Sequence, residues 1–152
     1  TADLPGIPCT GENEQAPTSI RLHQLSTQCF ANRMRAAGFD VTPVQFAAMD
    51  ALQAQPGIDQ ATVAELIAYD RATIGGVLSR LRAKGWIIRT VSTRDRRARE
   101  VELSAEGRRV YSRLLPLVDA IQEEILAGLS TRESEHFMKL TGKALGTSWT
   151  SR

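Results

Sequence analysis

The sequence predicts a mainly α-helical chain with one small β-hairpin, its middle flanked by helices with more apolar surface than a lone small domain needs. Three observations carry that prediction. Apolar residues recur at helical spacing in six segments separated by Gly, Pro or capping residues. Only WIIRTVS (86–92) and EVEL (100–103) switch to a strand-like pattern. Those two stretches enclose the polar loop STRDRRAR, which makes them a hairpin.

In chain order, residues 1–17, TADLPGIPCTGENEQAP, have neither the basic start nor the apolar stretch of a signal peptide, and read as a flexible arm. The chain opens on Thr1 rather than Met, which implies a trimmed start. Thr18 to Ala37 reads as a helix with Leu22, Leu25 and Cys29 on one apolar line, ended by Gly38. Thr42 and Pro43 are a cap and first-turn pair for a second helix, PVQFAAMDALQAQ, closed by Pro56 and Gly57. A third, QATVAELIAY, follows Asp59 and is expected to bury Val63, Leu66 and Ile67. After a tight turn, Asp70 caps a fourth helix, with Thr73 three residues on and Gly85 placed for a left-handed end. Beyond the hairpin, Ser104 caps a long helix from about Ala105 to Leu129, which Pro116 should kink. Ser130 and Glu133 form a capping box for a last helix carrying Phe137, Leu140, Ala144 and Leu145.

The order of helix, helix, helix, tight turn, helix, hairpin, helix, helix is that of a winged helix-turn-helix with extra helices at both ends. The expected organisation is a tail over 1–17, an N-terminal dimerisation helix over 18–40, the winged region over 41–103 and C-terminal dimerisation helices over 104–152. A chain of 152 residues builds such a core without disulfides or metals. Its two cysteines, Cys9 and Cys29, form no framework, and with no run of membrane-spanning length the expected location is the cytoplasm.

The fourth helix, DRATIGGVLSRLRAK, poses the sharpest question. Ile74, Val77, Leu78 and Leu81 share its apolar side, yet Gly75 and Gly76 each cost roughly 0.5 to 1 kcal/mol in a helix interior. Opposite the apolar side lie Ala72, Gly76 and Ser79, with Gly75 close by, edged by Arg71 and Arg82 on one side and by Thr73 and Arg80 on the other. Small residues rimmed by arginines suit close approach to a DNA groove; taken alone, the helix leaves open that the glycines admit a neighbouring helix. Charge favours DNA. From Arg71 to Arg99 there are nine basic residues and one acidic, a local charge of +8, while the remainder holds ten basic and sixteen acidic, −6. One face is thereby aimed at a polyanion.

The runs VTPVQFAAMDAL, DQATVAELIAYDRATIGGVLSRLRAKGWIIR and STRDRRAREVELSAEG resemble the MarR family of bacterial transcription regulators, over about Val41 to Gly107. The resemblance implies a homodimer that binds a pseudo-palindromic double-stranded DNA operator, usually as a repressor released by a small aromatic acid. On this chain it makes Asp70–Lys84 the recognition helix and Gln60 and Thr62 phosphate contacts. It makes Asp95 and Arg97 a wing pair whose arginine enters the minor groove, with Arg94, Arg96 and Arg99 on phosphates. It also implies an effector site between the dimer helices and the winged region. There Arg21, His23 and Thr27 would meet a carboxylate and ring polar atoms, with Gln45 and Met49 as walls; a hydroxylated nicotinate is one such acid.

Three rival readings remain. Thiol sensing through Cys29 is opposed by its place on the apolar line, which marks a buried cysteine. A ligand-independent architectural DNA-binding protein differs from a regulator only in lacking sequence preference. Catalysis has little to stand on: the sequence has no nucleophile elbow, phosphate loop or HExxH, and His23 and His136 lie on different helices. No cofactor or metal is expected.

Overall fold

Side-chain caps define five of the six helix starts. The computed structural model describes residues 17–92 and 99–146, in which six helices and three strands follow one another. They are α1 (Thr18–Ala36), α2 (Pro43–Ala54), β1 (Ile58–Asp59), α3 (Gln60–Leu66), α4 (Arg71–Ala83), β2 (Ile87–Val91), β3 (Arg99–Leu103), α5 (Ala105–Ile125) and α6 (Thr131–Ala144). Thr42, Asp59, Asp70, Ser104 and Ser130 each accept a bond from the backbone N–H three residues on, which satisfies a donor the helix itself cannot. Thr42 and Ser130 complete capping boxes with Gln45 and Glu133.

Helix ends are equally specific. Gly38 and Gly85 close α1 and α4 at φ 77° and 74°, and the residue after each bonds back five residues, Phe39 to Met34 and Trp86 to Leu81. α3 ends the same way on Ala68, φ 55°, with the Tyr69 N–H on the Ala64 carbonyl. This corrects the expected third helix, which stops at Leu66 instead of reaching Tyr69 because the chain turns left-handed at Ala68. α5 likewise stops at Ile125, short of Leu129, because tight bonds from Ala127 to Glu124 and from Leu129 to Leu126 wind it down. It runs unbroken through Pro116, which lies on its exposed side.

The hairpin forms as expected, with β2 antiparallel to β3 from Ile87↔Leu103 to Val91↔Arg99. A third strand, absent from the sequence reading, adds to its other edge: β1 pairs Ile58 with Val101, giving the order β1-β3-β2. Two residues are too short to show a period, so pattern alone does not reveal it.

The core lies where α2, α4, α5 and the sheet meet. Met49, Leu52, Val63, Ile74, Leu78, Leu81, Val101, Leu103 and Leu114 are fully or almost fully buried, each worth roughly 1.5 to 3 kcal/mol. α1 lies along α5, joined by an exposed Arg33–Glu124 ion pair at 2.7 Å. Phe30, Phe46 and Tyr111 form an aromatic chain, Phe46 and Tyr111 stacked at 5.7 Å, and the Tyr111 hydroxyl donates to Asp50 at 2.5 Å. α6 packs thinly on its own chain, and its one buried residue is Gly142.

Candidate nucleic-acid interface

The two helices of the helix-turn-helix start from near-copies of one motif, DQAT (59–62) and DRAT (70–73). In α3, both the N–H and the hydroxyl of Thr62 donate to Asp59 Oδ1 at 2.7 Å. In α4, the Thr73 N–H donates to Asp70 Oδ1 at 2.8 Å and its hydroxyl to Oδ2 at 2.5 Å. These donors hold both carboxyls below the ordinary aspartate range; the Thr62 N–H acts most strongly on Asp59 and the Thr73 hydroxyl on Asp70. The Thr62 and Thr73 hydroxyls are thus donated to the caps, and each helix starts on a carboxylate.

α4 buries Ile74, Val77, Leu78 and Leu81, as its period predicts, and leaves Arg71, Ala72, Thr73, Gly76, Ser79, Arg80 and Arg82 exposed. A Cβ at Gly76 would meet nothing within 4 Å, so no described residue packs against this glycine. Gly75 differs. A Cβ there would lie 3.0 Å from Gln60 Nε2, which donates to the Arg71 carbonyl at 3.3 Å. Of the two readings of the glycine pair, neighbour packing describes Gly75 and an open surface describes Gly76.

The basic residues divide in the same manner. Lys84 is turned inward: its ammonium lies 3.1 Å from Asp40 Oδ2, bonds the Asp40 carbonyl and sits 4.9 Å over the Trp86 ring. Arg89, opposite Val101, is partly buried, and its Nε has no hydrogen-bond partner among the described residues. The Arg71, Arg80, Arg82 and Arg99 side chains remain exposed, with Arg71 near enough to Asp59 to help hold that carboxyl ionised. Arg94, Asp95, Arg96 and Arg97 lie outside the described residues.

The five residues expected around an effector divide between the exposed side of α1 and the buried side of α2. Arg21, His23 and Thr27 are exposed on α1, where the Thr27 hydroxyl donates to the His23 carbonyl at 2.9 Å. Met49 is fully buried, and Gln45 is buried with its Oε1 accepting from the Thr42 N–H, so neither is a cavity wall here. Their neighbours on α2 face an open concavity of about 370 Å³, bounded by Ala47, Asp50, Ala51 and Ala54 of α2, by Gln55 just past its end, and by Leu66 and Ile67. Asp50 is its one charged lining residue, and the sequence reading did not single it out. Helical spacing puts 45 and 49 a quarter-turn or more from 47 and 51, and only the packed fold shows which side is covered.

Residues 39–98 match the MarR family. The transcriptional regulator HosA of Escherichia coli O127:H6 is 37% identical over 108 residues, which span 71% of this chain and 80% of HosA. Among solved structures, the PcaV transcriptional regulator of Streptomyces coelicolor, crystallised with its natural ligand, superposes with a TM-score of 0.75 at 31% identity, covering 84% of this chain and 89% of PcaV. BpsR of Bordetella bronchiseptica, whose DNA binding is regulated by 6-hydroxynicotinic acid, superposes with a TM-score of 0.78 at 26% identity, over 90% of this chain and 96% of BpsR. With its helix-turn-helix, its hairpin and these relatives, the chain belongs to the MarR family of DNA-binding transcription regulators.

Proposed function

We propose that the chain is a homodimeric repressor that places α4 of each protomer in the major groove of a pseudo-palindromic operator and its arginine-rich wing on the adjacent backbone and minor groove. The observation that carries this reading is the exposed face of α4, where Gly76 is open to solvent and Arg71, Arg80 and Arg82 stand around it. A helix that exposes a glycine at its centre brings its backbone close to a partner surface while the arginines reach sideways to phosphates or to guanine edges. Arg99 stands exposed at the start of β3, and Arg94, Arg96 and Arg97 continue the basic run in the sequence just before it. No catalytic role is assigned, and a repressor of this kind works in the cytoplasm, where its operator lies; among the described residues no helix is long and apolar enough to cross a membrane.

The second protomer is inferred from apolar surface at the chain ends. Ile20 on α1 is 48% exposed, Leu140 on α6 is 52% exposed and Leu145 just beyond it 72%. Two copies that exchange these ends bury them and set the two α4 helices one DNA turn apart, about 34 to 36 Å.

The effector in this reading is a small aromatic acid of the hydroxylated nicotinate type. It draws support from the 6-hydroxynicotinic acid that regulates BpsR and from Arg21 and His23, exposed on the helix assigned to the dimer and suited to a carboxylate. Such a ligand acts only if it favours a dimer whose recognition helices no longer match the two half-sites.

The test is binding of the full chain to promoter DNA beside its own gene, at fixed salt, with a scrambled fragment as control and a panel of aromatic acids as titrants. Preference for the promoter by about 10³-fold or more, weakened by one acid, is the expected result. Equal affinity for both DNAs would leave only an architectural protein. Gly76→Leu should keep the fold, since position 76 is exposed, a Cβ there meets nothing within 4 Å and Leu is the better helix former, and abolish promoter binding; unchanged binding would sink the assignment of α4.

A further inference from the structure

Resting on the reading of α4 as the DNA-reading helix, we propose that Gln60 is a positioning residue for that helix and that Gly75 is glycine in order to seat it. The family resemblance makes Gln60 a phosphate contact, but here its side chain is directed at the neighbouring helix. Gln60 is the first residue of α3, and its amide donates to the Arg71 carbonyl at 3.3 Å. In an α-helix that carbonyl also accepts the Gly75 N–H, four residues on. The amide therefore lies against Gly75, where a methyl group would sit 3.0 Å from Nε2 and 3.9 Å from Cδ. A side chain at position 75 makes the amide give by a few tenths of an ångström, against a hydrogen bond that is already 3.3 Å long.

The charge of Arg71 also faces the cap of α3. The Asp59 carboxylate, one residue before Gln60, is close enough for the Arg71 charge to help keep it ionised. The cap and the first residue of α3 thus both act on the first residue of α4, Gln60 by a hydrogen bond to its carbonyl and Asp59 by the attraction of its charge. The core beneath, with Val63, Ile74 and Leu78 buried, holds the helices together. The Gln60 contact sets how the first turn of α4 is presented, and with it the direction from which Arg71 reaches DNA. The adjacent glycines have separate causes: Gly75 accommodates the chain's own Gln60 and Gly76 accommodates the partner.

The experiment is a double-mutant cycle on the full chain with Gln60→Ala, Gly75→Ala and both together, measuring affinity for promoter and scrambled DNA at fixed salt and thermal unfolding. Gly75→Ala should weaken promoter binding about tenfold, leave scrambled DNA unchanged and leave the unfolding temperature equal or higher, because Ala is the better helix former. Gln60→Ala should do the same to promoter binding, and the double variant should lose no more than either single one. Equal added losses from Gly75→Ala in both backgrounds would overturn the proposal, because the methyl group would then be meeting DNA. A parallel loss on both DNAs in Gln60→Ala, with a shallower salt dependence, would overturn it in favour of a phosphate contact. Failure of the parent chain to discriminate the two DNAs is a different result: it removes the regulator reading itself, and the positioning role falls with it.

Discussion

Gly107 of α5 and Trp86, just past the end of α4, meet backbone to backbone: a Cβ on Gly107 would lie 1.9 Å from the Trp86 carbonyl oxygen and 2.8 Å from its carbon. The same junction is pinned by the Ser104 N–H, which donates to the Trp86 carbonyl at 2.9 Å, and by the Ser104 hydroxyl, which donates to the Gly85 carbonyl at 2.6 Å. The long helix assigned to the dimer is therefore locked to the C-terminal end of the helix assigned to DNA.

Gly107→Ala should destabilise the fold by about 3 kcal/mol or more, since neither backbone can yield. The loss in thermal unfolding should be about 6 to 12 °C for a chain of this size. Gly128→Ala, where the added group meets nothing within 4 Å, is the control and should change stability by less than about 0.5 kcal/mol. Similar unfolding temperatures for the two variants would refute the junction.

Ala68 occupies the left-handed position that Gly38 and Gly85 fill at the ends of α1 and α4. Left-handed backbone costs an L-residue roughly 1 to 2 kcal/mol, part of which glycine loses again to its freer unfolded chain. Ala68→Gly should accordingly raise stability by about 0.5 to 1 kcal/mol, measured by denaturant unfolding.

The depressed pKa values of Asp59, Asp70 and Glu133 set the acid limit. Glu133 is lowered chiefly by the Ser130 hydroxyl, as the aspartates are by their threonines. A carboxyl whose folded pKa lies below its unfolded value stabilises the fold above the unfolded value, near 4, and loses that contribution as pH falls through the folded one. Stability should be level above about pH 5 and decline below about pH 4. Asp59→Asn and Asp70→Asn keep a cap acceptor without a titrating group, so the double variant should show a shallower decline. An unchanged acid limb in that variant would assign the decline to other groups.

Leu140 and Leu145 are exposed at the chain's thinly packed end. Leu140→Glu with Leu145→Glu should leave helical circular dichroism intact and shift sedimentation from dimer to monomer at micromolar concentration. A dimer as tight as the parent's would move the interface elsewhere.

Arg99 stands exposed at the start of β3. If it meets phosphate, Arg99→Ala should weaken promoter and scrambled DNA alike and reduce the slope of log affinity against log salt by about 1. Loss on the promoter alone would make it a base contact instead.

Local chemistry, written in consecutive residues, was legible directly. Asp70 with Thr73, Thr42 with Pro43, Ser130 with Glu133 and the alternation of EVEL place caps and strands because their partners are a few residues away. The buried face of α4 and the basic run to Arg99 follow from period and charge alone, and with them the helix-turn-helix and the hairpin that follows it. Contacts between residues far apart in sequence were decided only by the tertiary structure. Lys84 turning onto Asp40, Gly107 meeting Trp86 and the third strand Ile58–Asp59 have no local signature. The glycine pair shows the division most clearly: residue type marked both positions as unusual, but Gln60, fifteen residues earlier, separates the one that packs from the one that stays open. Periodicity shows which side of a helix is apolar, while the neighbour that covers a given atom is set by how the helices cross.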